Sequence, residues 1–116
     1  METIEYQDIS KDLAPLLDAL SHPARLQIVL HLAKYNGCPA GSISERLPLS
    51  KSTVSQHLAK LKDVGIITAT PDGLCQRYSL NENVLNLLNH QFKSLMKIIN
   101  DSSKVKAECP CGSEKS

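Results

Sequence analysis

The sequence predicts a mainly helical chain with one small β-hairpin, an α+β fold. Three observations point there. Hydrophobic residues make up 41% of the 116 positions but aromatic ones only 3%, with no Trp. Leu and Ile therefore supply the core, whereas strand-rich sandwiches and barrels favour aromatic and β-branched residues. Apolar residues recur at helical spacing in segments punctuated by Gly and Pro. One stretch alone, Ile66 to Leu80, reads as two β-prone runs around a turn. The length suits one small domain, expected over residues 1–100, followed by a polar tail over 101–116.

The elements follow in order. Ile9, Leu13, Leu16, Leu17 and Leu20 lie on one helical stripe, and Pro15 predicts a break or restart within it. Ser21-His22-Pro23 reads as a helix start, a capping hydroxyl just before a proline near the first helical position. Leu26, Val29, Leu30 and Ala33 are expected to continue as a buried face, and Asn36-Gly37 ends that helix. Ser42 with Glu45 has the spacing of a capping box, opening a short helix to about Leu47. Pro48-Leu49-Ser50 is a tight turn with Ser50 as the next N-cap. Val54, Leu58 and Leu61 form the inward stripe of a helix that ends at Gly65. Two short helices around a turn of three or four residues make a helix-turn-helix. Ile66 to Thr70 and Leu74 to Leu80 then form a hairpin around Pro71-Asp72-Gly73. Val84 to Ile99 is a long closing helix rich in Leu and Ile.

The formal net charge of +1 excludes a polycation that coats nucleic acid, but it conceals a division. Residues 1–20 hold five carboxylates (Glu2, Glu5, Asp8, Asp12, Asp18) against Lys11, a balance of −4, so the other 96 residues sum to +5. From Ser50 to Lys62 there are three lysines and no acid. No apolar run approaches the roughly 20 residues that span a bilayer, and the acidic N-terminus lacks a signal-peptide pattern. A cytoplasmic protein with reduced cysteines is the expectation, with no membrane partner.

With Val54, Leu58 and Leu61 inward, Lys51, Ser52, Ser55, Gln56 and Lys60 are left on the outer face of their helix. Gln can bond adenine with two hydrogen bonds, Ser can donate or accept, and Lys meets phosphate or guanine. The helix N-terminus at Ser50 to Thr53 offers free N–H groups to a phosphate. Gln76 and Arg77 on the returning hairpin strand extend the same surface. The expected DNA-contacting set is therefore Ser50, Lys51, Ser52, Thr53, Ser55, Gln56, His57, Lys60, Gln76 and Arg77. The bland alternative is a solvated polar face.

Four patches now carry a family resemblance: Ala19-Leu20-Ser21-His22-Pro23-Ala24-Arg25-Leu26, Leu49 to Leu61, Val64-Gly65-Ile66-Ile67 and Arg77-Tyr78-Ser79-Leu80. In order and spacing they resemble the opening motif, recognition helix, link and returning wing strand of the ArsR/SmtB winged-helix repressors, across roughly residues 12–100. The resemblance implies a homodimeric winged helix-turn-helix repressor, paired through its first and last helices, that leaves double-stranded operator DNA when an inducer binds. The residues agree with that pairing. The expected interface is Leu13, Leu16, Leu17, Val84, Leu88, Phe92, Leu95 and Ile99, because the last helix, with Val84, Leu85, Leu87, Leu88, Phe92, Leu95, Met96, Ile98 and Ile99, presents more apolar surface than one small domain covers. Each one left exposed forfeits ~1.5–3 kcal/mol. Two recognition helices would then face half-sites about one DNA turn apart.

The family's sensing positions are not reproduced. Its cysteine pair in the first helix of the helix-turn-helix falls on Pro39, Ala40 and Gly41, its thiol-redox cysteine falls near Leu30, and His90 has no acidic neighbours in the last helix. What remains is Cys109-Pro110-Cys111, with Cys38 as a third thiol. Two thiolates two residues apart can chelate arsenite, cadmium, copper(I) or zinc, although zinc usually takes four ligands. The string Cys-Pro-Cys-Gly-Ser also resembles the front half of a SEC-C zinc knuckle whose second ligand pair is missing. A redox-responsive thiol pair, and a regulator with no metal sensing, stay open beside the metal reading. Two other classes compete with a DNA-binding regulator. A winged-helix protein-interaction module would not need the acid-free stretch from Lys51 to Lys62. An enzyme is not expected, because a thiol catalyst needs a base and Cys109 and Cys111 have no nearby His.

Overall fold

The aliphatic stripe of the first segment forms helix α1 (Glu2–Leu20), in which Ile9, Leu13, Leu16 and Ala19 are buried. The structure, a computed structural model, describes the backbone of residues 2–104 and the side chains of residues 6–101. Pro15 does not break α1. It lies on the exposed side, and burial of Leu13 and Leu16 on either side of it outweighs the missing N–H. α1 packs along α5 (Glu82–Lys104), and Gln91 donates from Nε2 to Asp12 Oδ2 at 2.7 Å across that contact.

α2 (Pro23–Lys34) buries Ala24, Ile28, His31 and Leu32, whereas Leu26, Leu30 and Ala33 of the expected buried face are exposed and Val29 is half-buried, because the stripe that meets the core is the one carrying Ile28 and Leu32. This helix is capped by the His22 ring and not by the Ser21 hydroxyl. His22 Nδ1 accepts from the Ala24 N–H at 3.1 Å, whereas Ser21 Oγ donates back to the Asp18 carbonyl at 2.7 Å. The serine thus closes α1, and the histidine opens α2. Strand β1 (Cys38–Pro39) follows and leads directly into α3 (Ala40–Arg46). α3 begins two residues before Ser42, with Pro39 at the N-cap and no side-chain cap. The expected capping box does not form, because strand pairing at Pro39 sets where the helix starts.

α4 (Lys51–Asp63) is capped as its sequence predicts, with Ser50 Oγ accepting from the Thr53 N–H at 3.2 Å. At its other end the Ile66 N–H reaches the Leu61 carbonyl and the Gly65 N–H the Lys62 carbonyl, a Schellman closure. Gly65 sits at φ +86°, and a Cβ there would lie 3.3 Å from Val84 Cγ2. Glycine is required both for the backbone angle and for the close approach of α5.

β2 (Ile67–Asp72) and β3 (Cys75–Leu80) pair antiparallel from Ile67↔Leu80 to Asp72↔Cys75. Pro71 and Asp72 belong to the strand, so the turn is Gly73-Leu74, with Gly73 at φ +65°. Positive φ at the first of two turn residues suits the right-handed twist of the hairpin. Leu74 is therefore fully exposed at the tip instead of lying within the returning strand. β1 pairs with the other side of β3, giving the sheet order β1-β3-β2. This two-residue strand has no readable periodicity. Asn81 caps α5 by accepting from the Asn83 N–H at 3.2 Å. α5 starts two residues before Val84 and continues to Lys104, since no Gly or Pro interrupts it.

The core is aliphatic throughout: Leu16, Ala19, Ile28, Leu32, Ile43, Val54, Leu58, Leu61, Ile66 and Ile67. At its edge a polar cluster ties α4 to α2. The His22 and His57 rings stand 4.5 Å apart, and Arg25 Nη1 donates to His57 Nδ1 at 3.3 Å. Arg25 Nε also donates to the Ala19 carbonyl. Burial, then the nearby His22 and Arg25, hold His57 below its ordinary 6.5, and burial followed by Arg46 does the same to His31. A lowered histidine favours the folded state when neutral, so this stability is complete above about pH 6.5 and is lost as pH falls below it. At constant protein concentration the urea midpoint should drop between about pH 7.5 and pH 5. His57→Gln should make that decline shallower, and a midpoint that rises on acidification would contradict this reading.

Candidate nucleic-acid interface

The inward stripe of α4, with Val54, Leu58 and Leu61 each at most 1% exposed, decides which side chains face out. Lys51, Ser52, Ser55 and Gln56 are exposed. Lys51, Ser55 and Gln56 make no side-chain hydrogen bond or ion pair among the described residues, so their donors and acceptors are available. Ser50 and Thr53 are engaged in the cap, Ser50 Oγ donating to Thr53 Oγ1 at 2.8 Å. The hairpin brings a second group of side chains beside them. A groove of about 230 Å3 between the N-terminal turn of α4 and the sheet is lined by Lys51, Ser55, Gln76 and Cys75, with Gly41 at its α3 side. Lys51, Ser55 and Gln76 thus share one surface, although 25 residues separate Lys51 from Gln76.

Three residues of the expected set lie elsewhere. His57 faces α2, against Arg25 and His22. Lys60 Nζ lies 3.4 Å from Asp18 Oδ2 on α1, a half-exposed pair of the kind worth ~0–1 kcal/mol. Arg77 donates from Nε to Asp72 Oδ2 at 2.6 Å and from Nη1 to the Gly37 carbonyl at 2.7 Å. None of these partners was visible in the sequence, because each lies on another element.

A second face, along α1 and α5, is apolar. One groove of about 360 Å3 runs between Tyr6, Leu13, Leu17, Leu95 and Ile98, and another of about 290 Å3 lies between Leu17, Leu88 and Phe92. Leu17, Phe92 and Ile99 are 40–49% exposed, whereas Leu13 and Leu16 are 4% exposed and packed within the chain. Val84 is half-buried beside Gly65. Met96, expected from the last helix's apolar residues, is 40% exposed, whereas Tyr6 lines this face and was absent from the sequence reading. Tyr6 falls three residues before Ile9, a spacing that could have found it.

For metal ligands, the described residues hold no group of three His, Cys, Asp or Glu close enough to share an ion. Cys38 is half-buried with Sγ 3.6 Å from His31 Nε2, and Cys75 is exposed. Cys109 and Cys111 lie outside the described residues. No described helix is long and apolar enough to cross a membrane.

Known proteins share this architecture and sequence. Residues 20–69 match a helix-turn-helix domain family. The HTH-type transcriptional regulator YgaV of Escherichia coli (strain K12) is 34% identical over 94 residues, covering 81% of this chain and 95% of that protein. The arsenical resistance operon repressor of Staphylococcus xylosus is 32% identical over 106 residues, covering 91% and 94%. Among solved structures, the homodimeric winged helix-turn-helix DNA-binding domain Mb0332 of Mycobacterium bovis superposes with a TM-score of 0.63 at 24% identity, covering 90% and 92%. The three-stranded wing, the α3–α4 pair with its outward polar face, and these similarities establish that the chain belongs to the ArsR family of winged helix-turn-helix transcriptional regulators.

Proposed function

We propose that this regulator is a homodimeric repressor that reads a two-fold operator in double-stranded DNA and is released by a thiol-binding inducer. The observation that carries the DNA contact is the shared surface of Lys51, Ser55 and Gln76, exposed, free of carboxylates and formed from both α4 and the wing, with Gln56 exposed next to Ser55 on α4. Lys51 supplies phosphate neutralisation, Gln56 and Ser55 supply base-edge hydrogen bonds, and Ser52 lies at the helix N-terminus. His57, Lys60 and Arg77 contribute from behind that surface through their intramolecular partners.

The apolar face of α1 and α5 is the dimer seam in this reading. Side chains as large as Phe92 and Ile99, nearly half exposed, are costly to leave in water. A symmetric copy covers them and sets two α4 helices against successive major grooves. The homodimeric state of the Mycobacterium bovis domain is consistent with this arrangement.

For the inducer, Cys109 and Cys111 form the chelating pair, with Cys38 as a third thiolate. The ligand class is a soft metal or metalloid: arsenite, cadmium, copper(I) or zinc. The similarity to an arsenical resistance operon repressor supports that class. Oxidation of the same thiols is the competing chemistry.

Three outcomes test the reading. A duplex carrying the promoter of the chain's own gene should be bound with an affinity that falls steeply with salt. Gln56→Ala should weaken binding by about 1–3 kcal/mol, and Lys51→Ala should weaken it while flattening the salt slope by about one unit. Retained affinity in both variants would move the interface elsewhere. In sedimentation equilibrium, Phe92→Glu should convert a dimer to a monomer, and an unchanged dimer would exclude this face as the seam. Titration of the protein–DNA complex with arsenite, cadmium, copper(I) or zinc should release the duplex. The double variant Cys109→Ser, Cys111→Ser should stay bound, and release by peroxide alone would favour oxidation.

A further inference from the structure

Arg77 occupies the central strand of the wing. Its neighbours in register are Thr70 on β2 and Pro39 on β1. The guanidinium reaches diagonally to both sides: Nε to Asp72 Oδ2 at 2.6 Å, near the hairpin tip, and Nη1 to the Gly37 carbonyl at 2.7 Å, in the connection that leads into β1. One side chain therefore ties β3 to β2 and to the connection that enters β1. That tie matters most at β1, which has only two residues and could not hold its place by ladder hydrogen bonds alone. Because β1 runs without a break into α3, whatever fixes β1 against β3 also fixes the wing against the helix-turn-helix.

We infer that Arg77 is a positioning residue for DNA binding, a brace that holds the wing at a set angle to α3 and α4, and not a phosphate contact. The inference rests on the DNA-binding reading above. Asp72 accepts from Nε and the Gly37 carbonyl from Nη1, so two of the three guanidinium nitrogens are already committed within the chain. The planar guanidinium suits this role because it can address two acceptors in fixed directions, which an ammonium cannot. Gly37 joins the same fastening from its other side. Its N–H donates to the Tyr78 carbonyl at 3.0 Å, and its φ of +80° turns the chain from α2 into β1. The neighbouring Asn36 Oδ1 accepts from the Leu80 N–H at 3.0 Å. The connection between α2 and β1 is thus bound to β3 at three points, one of them Arg77.

The salt dependence of binding separates a brace from a phosphate contact. Loss of a phosphate contact lowers the slope of log affinity against log salt by about 0.9, whereas loss of a brace leaves it unchanged. With the promoter duplex as probe, Arg77→Gln should weaken binding about three- to tenfold at every salt concentration, with the wild-type slope retained. Lys51→Gln is the control whose slope should fall. Amide exchange on the free protein gives a readout independent of DNA. Arg77→Gln should speed exchange at Gly37 and through β2 and β3, while the α4 amides keep their protection. A slope lowered by about 0.9 in Arg77→Gln would make Arg77 a direct phosphate contact and overturn the brace. Unchanged exchange at Gly37 would overturn it equally. If the wild type fails to bind the duplex at any salt, the DNA reading falls, and the exchange measurement still judges the brace by itself.

Discussion

Burial of three side chains on one side of α4 governs this molecule. Val54, Leu58 and Leu61 sink into an aliphatic core built from α1, α2, α3 and β2, and each is at most 1% exposed. Rotating α4 about its axis would bring those residues into water at ~1.5–3 kcal/mol apiece. The helix therefore has one orientation, and Lys51, Ser52, Ser55 and Gln56 face outward as its consequence. The closure at Gly65 then fixes where the chain leaves α4, so the hairpin lands beside the N-terminal turn of that helix.

Charge is arranged around that orientation. Between Asp18 and Glu45 there is no carboxylate, and from Ser50 to Lys62 there is none again. Asp8, Asp12 and Asp18 belong to α1, the helix that also lines the apolar grooves. Asp18 is the point where α1 and α4 meet in charge, because its carboxylate pairs with Lys60 of α4. Asp72 plays a comparable part on the wing, engaging Arg77 on the exposed surface of the sheet. A net charge of +1 thus hides a surface whose local balance differs from one face to the other.

Histidine and cysteine side chains show how far tertiary context changes a residue's meaning. His22, isolated in sequence, caps α2 through Nδ1 and stands against His57. His31 is nearly buried and meets the half-buried Cys38. Tyr35 lies under Arg46, which stacks at 4.5 Å and donates to its hydroxyl at 3.2 Å, and that hydrogen bond draws the phenol below its ordinary range. These contacts hold α2, α3 and α4 together at their polar edges, where the aliphatic core ends.

The sequence by itself determined the helix order, the Ser50 cap, the stop at Gly65, the presence of a hairpin and the outward set on α4. These features follow from local rules: periodicity, capping chemistry and the backbone freedom of glycine act within a few residues. Tertiary structure alone decided the rest. Pro15 stays inside a helix because α5 packs on both sides of it. α3 starts at Ala40 because β1 pairs with β3. Lys60, His57 and Arg77, interchangeable with the other polar residues when read along the chain, are set apart by partners 32 to 42 positions away: Asp18 for Lys60, Arg25 for His57, Gly37 for Arg77. Local spacing carries no information about such distant partners, and it is those partners that divide the outward residues from those that hold the surface in place.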